Sequence, residues 1–370
     1  MFRFVGHRIE RSRNRVGIKP PYAVQLEAFT LHQSLFVVDL HADALLWDRD
    51  LLLRGSRGHV DVPRLLSGNV ALQVFGLVTK VPNKMSFQEN SERSDLLRTL
   101  SVAQGWPRRT WRSPFQRALY QTQKLQDFAE RSQGKLMRVL TVQDLETLVQ
   151  RKAARQEVVG GFASLEGVHA LEGKIENLDA LCEAGVRMIG LAHFFDNQAA
   201  GSAHGKVKGG LTPFGREIVR RSQEKGMVID LAHSSPAAID DVLAISTAPL
   251  VVSHTGVRGN FESPRNLSDE HVRRIAATGG VIGIAMFKGA LAEPRLDLTV
   301  QAMRYTADLV GVDVVGLGSD FDGLTETPVD ASGLALLTEA MLAEGFTRDE
   351  IARIMGENSL RVLRATLPLE

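Results

Sequence analysis

Eight short runs rich in Val, Ile and Leu recur along this 370-residue chain, separated by longer segments whose apolar residues lie three to four apart. That rhythm constrains the fold more than any other feature, because strands alternating with helices build a parallel sheet. The runs are approximately Phe36–Asp43, Val70–Thr79, Val158–Gly167, Val186–His193, Gly226–His233, Pro249–Gly256, Gly279–Phe287 and Val314–Gly323. Helical spacing with starting caps, among them Ser235-Pro236 and Ser268, marks Pro213–Lys225, Ser235–Ile245, Ser268–Thr278 and Leu298–Val310. Eight strands with intervening helices predict a closed (β/α)8 barrel of the TIM type, occupying residues 28–370 behind a basic extension, residues 1–27.

Composition narrows the partners. With 44 basic and 43 acidic residues the net charge is +1, which points neither to nucleic acid nor to an anionic membrane, so a small-molecule substrate is expected. The single cysteine, Cys182, excludes an intrachain disulfide and a thiolate metal cluster, leaving imidazole and carboxylate as ligands. A reducing, cytoplasmic location fits. The start, MFRFVGHRIERSRNRVGIKPP, lacks the apolar stretch of a secretory signal and reads as a solvated arm, although its Arg-rich, acid-poor character imitates a transit peptide. No apolar run reaches membrane-spanning length, and the C-terminal RVLRATLPLE is too short and polar for a lipid-anchor signal, so a soluble protein is expected.

Two stretches exceed a minimal barrel. Val81–Tyr120 is a long excursion in which Trp106, Trp111 and Phe115 interleave with Arg108, Arg109 and Arg112. Such a pattern can stack nucleotides, but a loop that covers the barrel mouth or meets another subunit, leaving a homodimer open, is the reading adopted. Asn197–Gly210 is glycine-rich, and without a phosphate-loop fingerprint it reads as a mobile lid.

Ligand-type residues collect where the runs end, and a barrel carries its active site at the C-terminal ends of its strands. The first run ends VVDLHAD; side chains two apart share a strand face, so His41 and Asp43 point together into the mouth. His-x-Asp alone is commonly a buried hydrogen-bonded pair. Its company changes that: the third run delivers Glu166, the fifth His233, the sixth His254, and the eighth Asp320 and Asp322 between glycines. Such a set at one level of five strands predicts a metal centre, and a carboxylate such as Glu166 can bridge two cations. Two divalent ions would supply nucleophile and carbonyl polarisation for hydrolysis, with Asp320 as the proton acceptor and then donor.

The pieces LFVVDLHAD…W, SLEGVHAL, GLAHFFDN, GLTPFGREIVRRSQEKGMVIDLAHSS, VVSHTG, SPRNLSDE, GLGSDFDG and GENSLRVL resemble the membrane (renal) dipeptidase family of the amidohydrolase superfamily, from about Ala28 to Leu363. The resemblance implies that His41, Asp43 and Asp320 hold one metal, that His233 and His254 hold the other, and that Glu166 bridges them. It adds His193, beside the substrate carbonyl, and Arg265, which binds the dipeptide's C-terminal carboxylate. Read without it, His193 is a core histidine and Arg265 a loop residue beside a cap. The sequence departs from the family in reading His41-Ala42-Asp43-Ala44-Leu45-Leu46-Trp47, with one extra residue before Trp47, and in the reworked loop after His193. The function implied is a zinc-dependent metallodipeptidase tolerant of a D-residue at the C-terminal position. Hydrolysis of another small amide or lactam, and a catalytically silent metal-binding relative, are the alternatives.

Overall fold

The computed structural model describes residues 3–370, with side chains from residue 6 onward. Among them are nine parallel strands: β1 (Val37–Ala42), β2 (Val70–Val78), β3 (Leu136–Arg138), β4 (Val159–Glu166), β5 (Val186–Gly190), β6 (Val228–Asp230), β7 (Val251–Thr255), β8 (Val281–Ile284) and β9 (Val315–Leu317). Neighbours run β2-β1-β9-β8-β7-β6-β5-β4, and a β2–β4 pairing from Leu72↔Gly160 to Val78↔Glu166 closes the eight-stranded barrel. All eight expected runs became barrel strands. Their near-continuous apolar composition follows from burial on both faces, by the barrel interior on one side and the helices on the other.

β3 was not expected. It spans three residues and pairs only with the first part of β4, Leu136↔Val159 to Arg138↔Gly161, whereas β5 joins β4 from Ala163 onward. The strands also stop sooner than the runs suggested, so β5, β6 and β9 end three residues before His193, His233 and Asp320.

The helices follow their caps. Ser235 accepts from the Ala238 amide ahead of Pro236–Ile245, and Ser268 from that of His271 ahead of Asp269–Ala277. The excursion folds into helices Leu96–Ala103 and Pro114–Arg131 joined by a short turn, Arg108–Trp111. Trp106 is buried against Tyr120, at 5.0 Å between ring centroids, beside Leu46, Trp47 and Val78. Arg117 is buried too and donates to the carbonyls of Thr79, Thr110 and Trp111, whereas Arg108, Arg109 and Arg112 are exposed. The N-terminal extension is no solvated arm: Arg3–Arg13 is a helix, and Glu10 on it is fully buried between Arg49 and Arg57. Among the described residues no helix is long and apolar enough to cross a membrane.

His32, on the helix Leu26–Ser34, locks that helix to the barrel: its Nε2 donates to the Gly68 carbonyl at 2.8 Å, so its Nδ1 accepts from the Thr338 hydroxyl at 2.8 Å. Burial pushes the imidazole down to about 4 from 6.5. Between those values the unfolded chain binds a proton that the folded chain refuses, so stability is present above 6.5 and is lost as pH falls towards 4. The span is worth about 3 kcal/mol. Denaturant unfolding at pH 7.5 and at pH 4.5 is therefore expected to differ less in His32→Gln than in the parent, by about 2 kcal/mol. An unchanged difference would show that His32 does not hold this proton balance.

Candidate active site

Six of the eight barrel strands, β1, β4, β5, β6, β7 and β9, contribute to one buried cluster. β1 carries His41 and is followed directly by Asp43; β4 ends in Glu166; β7 carries His254; and the loops after β5, β6 and β9 carry His193, His233 and Asp320. Glu166 lies at the centre. Its Oε1 is 3.2 Å from His233 Nε2, 3.5 Å from His254 Nε2 and 3.7 Å from His41 Nε2, and its Oε2 is 3.4 Å from His193 Nε2. His41 Nε2 lies 3.2 Å from Asp43 Oδ1, and the His41 and His254 rings stack at 3.9 Å.

Three groups can each gather ligand atoms within 4.8 Å: His41, Asp43 and Glu166; Glu166, His193 and His233; and His41, His254 and Asp320. The expected residues are thus brought together, with two differences from the implied pairing. Asp320 groups with His254 as well as His41, and His193 is as near to Glu166 as the other histidines are.

A second layer orients the donors. Asp230 accepts the amides of Ala232 and Ser253 at 2.9 and 2.8 Å and the Ser253 hydroxyl at 2.5 Å. With its proton committed there, Ser253 Oγ receives the His254 Nδ1 hydrogen at 2.9 Å, which leaves the His254 Nε2 lone pair facing Glu166. Across the mouth, Asp39 accepts the Ser319 amide and hydroxyl at 2.8 and 2.7 Å and ties β1 to the loop that carries Asp320. That loop is strained: Asp320, Asp322 and Leu324 have φ of 60°, 65° and 62°, and His233 has 62°. Non-glycine residues hold such angles where the surroundings over-determine them.

The electrostatics follow from dryness. Burial, reinforced by Asp43, raises Glu166 well above the carboxylate range. Burial pushes Asp320 up to about 8, with His41 opposing and Asp43 adding. Burial holds His193, His233 and His254 well below 6.5, as neutral imidazoles. Burial opposes the charge on His41, yet it alone among these histidines is raised, to about 10, because Asp43, Glu166 and Asp320 together outweigh that burial. His41 Nε2, Asp43 Oδ1 and Glu166 Oε2 are buried with no hydrogen-bond partner. Buried polar atoms normally find partners, so imidazole and carboxylate atoms left without one in a dry mouth fit a site that a cation would complete, displacing the His41 proton.

Above the cluster lies a cavity of about 210 Å³, with Asp43, Glu166, His193, His233, His254 and Asp320 in its floor and Leu46, Met85, Phe87, Phe194, Phe287 and Leu324 in its walls. Phe87 comes from the excursion, whose first residues therefore do form part of the mouth. The glycine-rich loop does not behave as a lid. Asp196 accepts the amides of Ser202, Val207 and Lys208, and buried His204 donates from Nδ1 to the Phe87 carbonyl at 2.9 Å, fastening the loop behind Phe87.

Two sequence candidates sit elsewhere. Asp322 points away from the cluster and takes the amides of His59 and Val60 and the guanidinium of Arg49. Arg265 is buried behind the histidines, donates to the His254 carbonyl, keeps an unpartnered Nε, and does not line the cavity. Gly76 on β2 was missed: a Cβ there would lie 2.3 Å from Asp43 Oδ1 and 2.8 Å from His41 Cε1. The sole hint in the sequence was a glycine inside an apolar strand run.

Fold and site together define a hydrolase with metal-holding groups at the mouth of a (β/α)8 barrel. The chain belongs to the membrane dipeptidase family, peptidase family M19, whose model matches residues 26–368. It is 29% identical over 319 residues to an uncharacterized dipeptidase of Schizosaccharomyces pombe, covering 84% of this chain and 73% of that one. Its fold is similar to that of the probable dipeptidase PvdM from Pseudomonas aeruginosa, with a TM-score of 0.77, 20% identity and coverage of 92% and 98%. It is also similar to a metallo peptidase from Rhodobacter sphaeroides liganded with a phosphinate mimic of the dipeptide L-Ala-D-Ala, with a TM-score of 0.74, 23% identity and coverage of 90% and 99%.

Gly76→Ala is expected to displace Asp43 and His41 while the barrel stays folded, costing about 1–3 kcal/mol of stability, as overpacking does, and lowering the affinity for divalent ions at least tenfold. Ion titration of the folded variant checks this; wild-type affinity would show that the floor yields to the methyl group.

Proposed function

We propose that this chain hydrolyses the peptide bond of dipeptides, tolerates a D-residue at the C-terminal position, and works with two divalent ions, zinc being the expected metal, held by His41, Asp43, Glu166, His233, His254 and Asp320. The observation that carries this reading is Glu166, whose two oxygens lie within 3.7 Å of four imidazole Nε2 atoms on four strand ends. Imidazole and carboxylate donors without thiolate suit zinc and its neighbours. Ions held there supply Lewis acidity to the scissile carbonyl and an activated water near neutral pH.

The chain's own groups account for the remaining steps. Asp320, at the cavity floor, takes the proton from the attacking water and returns it to the leaving amine. His193, which also lines the cavity, faces the developing oxyanion. The walls exclude water around the peptide bond. Arg265 receives the substrate's carboxylate, an assignment supported by its unpartnered buried Nε and by guanidinium geometry. D-residue tolerance draws support from the phosphinate ligand named for the Rhodobacter sphaeroides structure.

A second reading, hydrolysis of another small amide or lactam, is favoured by one observation: Arg265 stands outside the cavity lining. The two readings diverge experimentally. Arg265→Ala is expected to lower kcat/KM for free dipeptides by about 2–5 kcal/mol, because it leaves a desolvated carboxylate unpaired, while barely changing the slower hydrolysis of C-terminally amidated analogues. Equal losses on acid and amide would move the assignment to the second reading. Asp320→Asn is expected to retain most of the metal and lose turnover about a hundredfold or more, since the amide offers an oxygen but accepts no proton. Unchanged kcat would remove Asp320 from the chemistry.

A further inference from the structure

The family match begins at residue 26, yet the helix Arg3–Arg13 and the segment behind it are bonded to the loop that carries Asp320. Three connections make the join. Glu10, fully buried, is ion-paired with Arg49, whose Nε lies 2.8 Å from its Oε1, and with Arg57, whose Nε lies 3.1 Å from its Oε2, and the Arg49 guanidinium reaches across to the Asp322 carboxylate. His59 Nδ1 accepts the Asp322 amide hydrogen at 2.9 Å, which leaves the proton on Nε2 to be donated to the Arg15 carbonyl at 3.1 Å. Further along, Gly17 and Ile18 donate to the carbonyls of Thr327 and Pro328 at 2.9 and 2.8 Å, and Thr327 donates back to Arg15 at 3.0 Å.

Between these anchors lies the Asp320–Thr325 stretch, whose positive-φ residues cannot hold their shape unaided and whose Asp320, Gly323, Leu324 and Thr325 line the cavity. Arg49 serves two carboxylates, one on the catalytic loop and one on the extension. Removing Glu10 leaves two buried or half-buried guanidinium groups short of one negative charge, and Arg49 can then no longer hold Asp322 in the same place.

We propose that the N-terminal helix is a positioning element of the active site, setting the Asp320 loop through the Glu10, Arg49 and Asp322 chain. The inference rests on the reading of Asp320 as a working residue.

The test compares the full-length protein with Glu10→Ala and with Leu363→Ala, a core truncation on the C-terminal helix Asn358–Thr366, chosen to lose comparable thermal stability. Two readouts are taken well below the melting temperature: dipeptide kinetics, and backbone hydrogen exchange. Glu10→Ala is expected to lower kcat at least tenfold with KM moving less than threefold, and to speed exchange of the 319–326 amides at least tenfold, whereas Leu363→Ala does neither. Wild-type kcat and exchange in Glu10→Ala, or equal changes in both variants, would overturn the proposal. Should Glu10→Ala fail to fold, Glu10→Gln keeps the size and one acceptor; a kcat loss of threefold or more with faster 319–326 exchange supports the role, and wild-type behaviour overturns it. If the wild-type protein hydrolyses no dipeptide, that counts against the proposed function, and the exchange rates alone decide the positioning role.

Discussion

The carboxylate of Glu166, enclosed by imidazole nitrogens in a dry barrel mouth, is the constraint on which the rest of this structure depends. Taking a carboxylate out of water costs several kcal/mol unless a compensating charge meets it. His193, His233 and His254 around it are neutral through burial, and the tautomer of His254 set by Ser253 turns a lone pair, not a hydrogen, toward the carboxylate. Acceptors facing acceptors is an arrangement that a cation resolves and that a purely structural core would avoid. The same logic accounts for Gly76, whose missing side chain leaves the space that His41 and Asp43 occupy.

Outside that centre, three aspartates take on the work of holding it. Asp39 joins β1 to the loop after β9, Asp230 joins the ends of β6 and β7, and Asp322 joins the Asp320 loop to Arg49 and the segment around His59. Each is buried, and each accepts backbone amides as well as side-chain donors. They stabilise turns whose non-glycine residues adopt left-handed conformations. The barrel's strands supply the level at which the clustered side chains stand, and these aspartates supply their aim.

Much of this was legible in the residue order because the barrel enforces it. Apolar runs buried on both faces must end where the chain turns polar, and the polar residues at or just past those ends gather in one buried cluster. His41, Glu166 and His254, on strands, followed from that rule directly. His193, His233 and Asp320 were found for a partly wrong reason: they stand in loops three residues past shorter strands, where a two-residue alternation no longer predicts direction. Asp320 and Asp322 read alike in DFDG, yet only Asp320 meets the cluster, since Asp322 is claimed by the His59 and Val60 amides and by Arg49, 273 residues away in sequence. The N-terminal helix was hidden because Glu10, which ties it to Arg49 and Arg57, reads in the sequence as one more solvated charge in an Arg-rich stretch. The glycine-rich loop looked mobile by composition; its order comes from amides gathered by Asp196, which composition does not report.

The central claim is that Glu166 lets one barrel mouth hold two divalent ions at once. Its most direct test is the number of zinc ions bound per chain at saturation by the metal-stripped wild-type protein and by Glu166→Ala, each confirmed as folded by circular dichroism. The account predicts two ions for the wild type and at most one, held more weakly, for the variant. Equal stoichiometry and affinity in the two proteins, or a wild type that binds none, would contradict it.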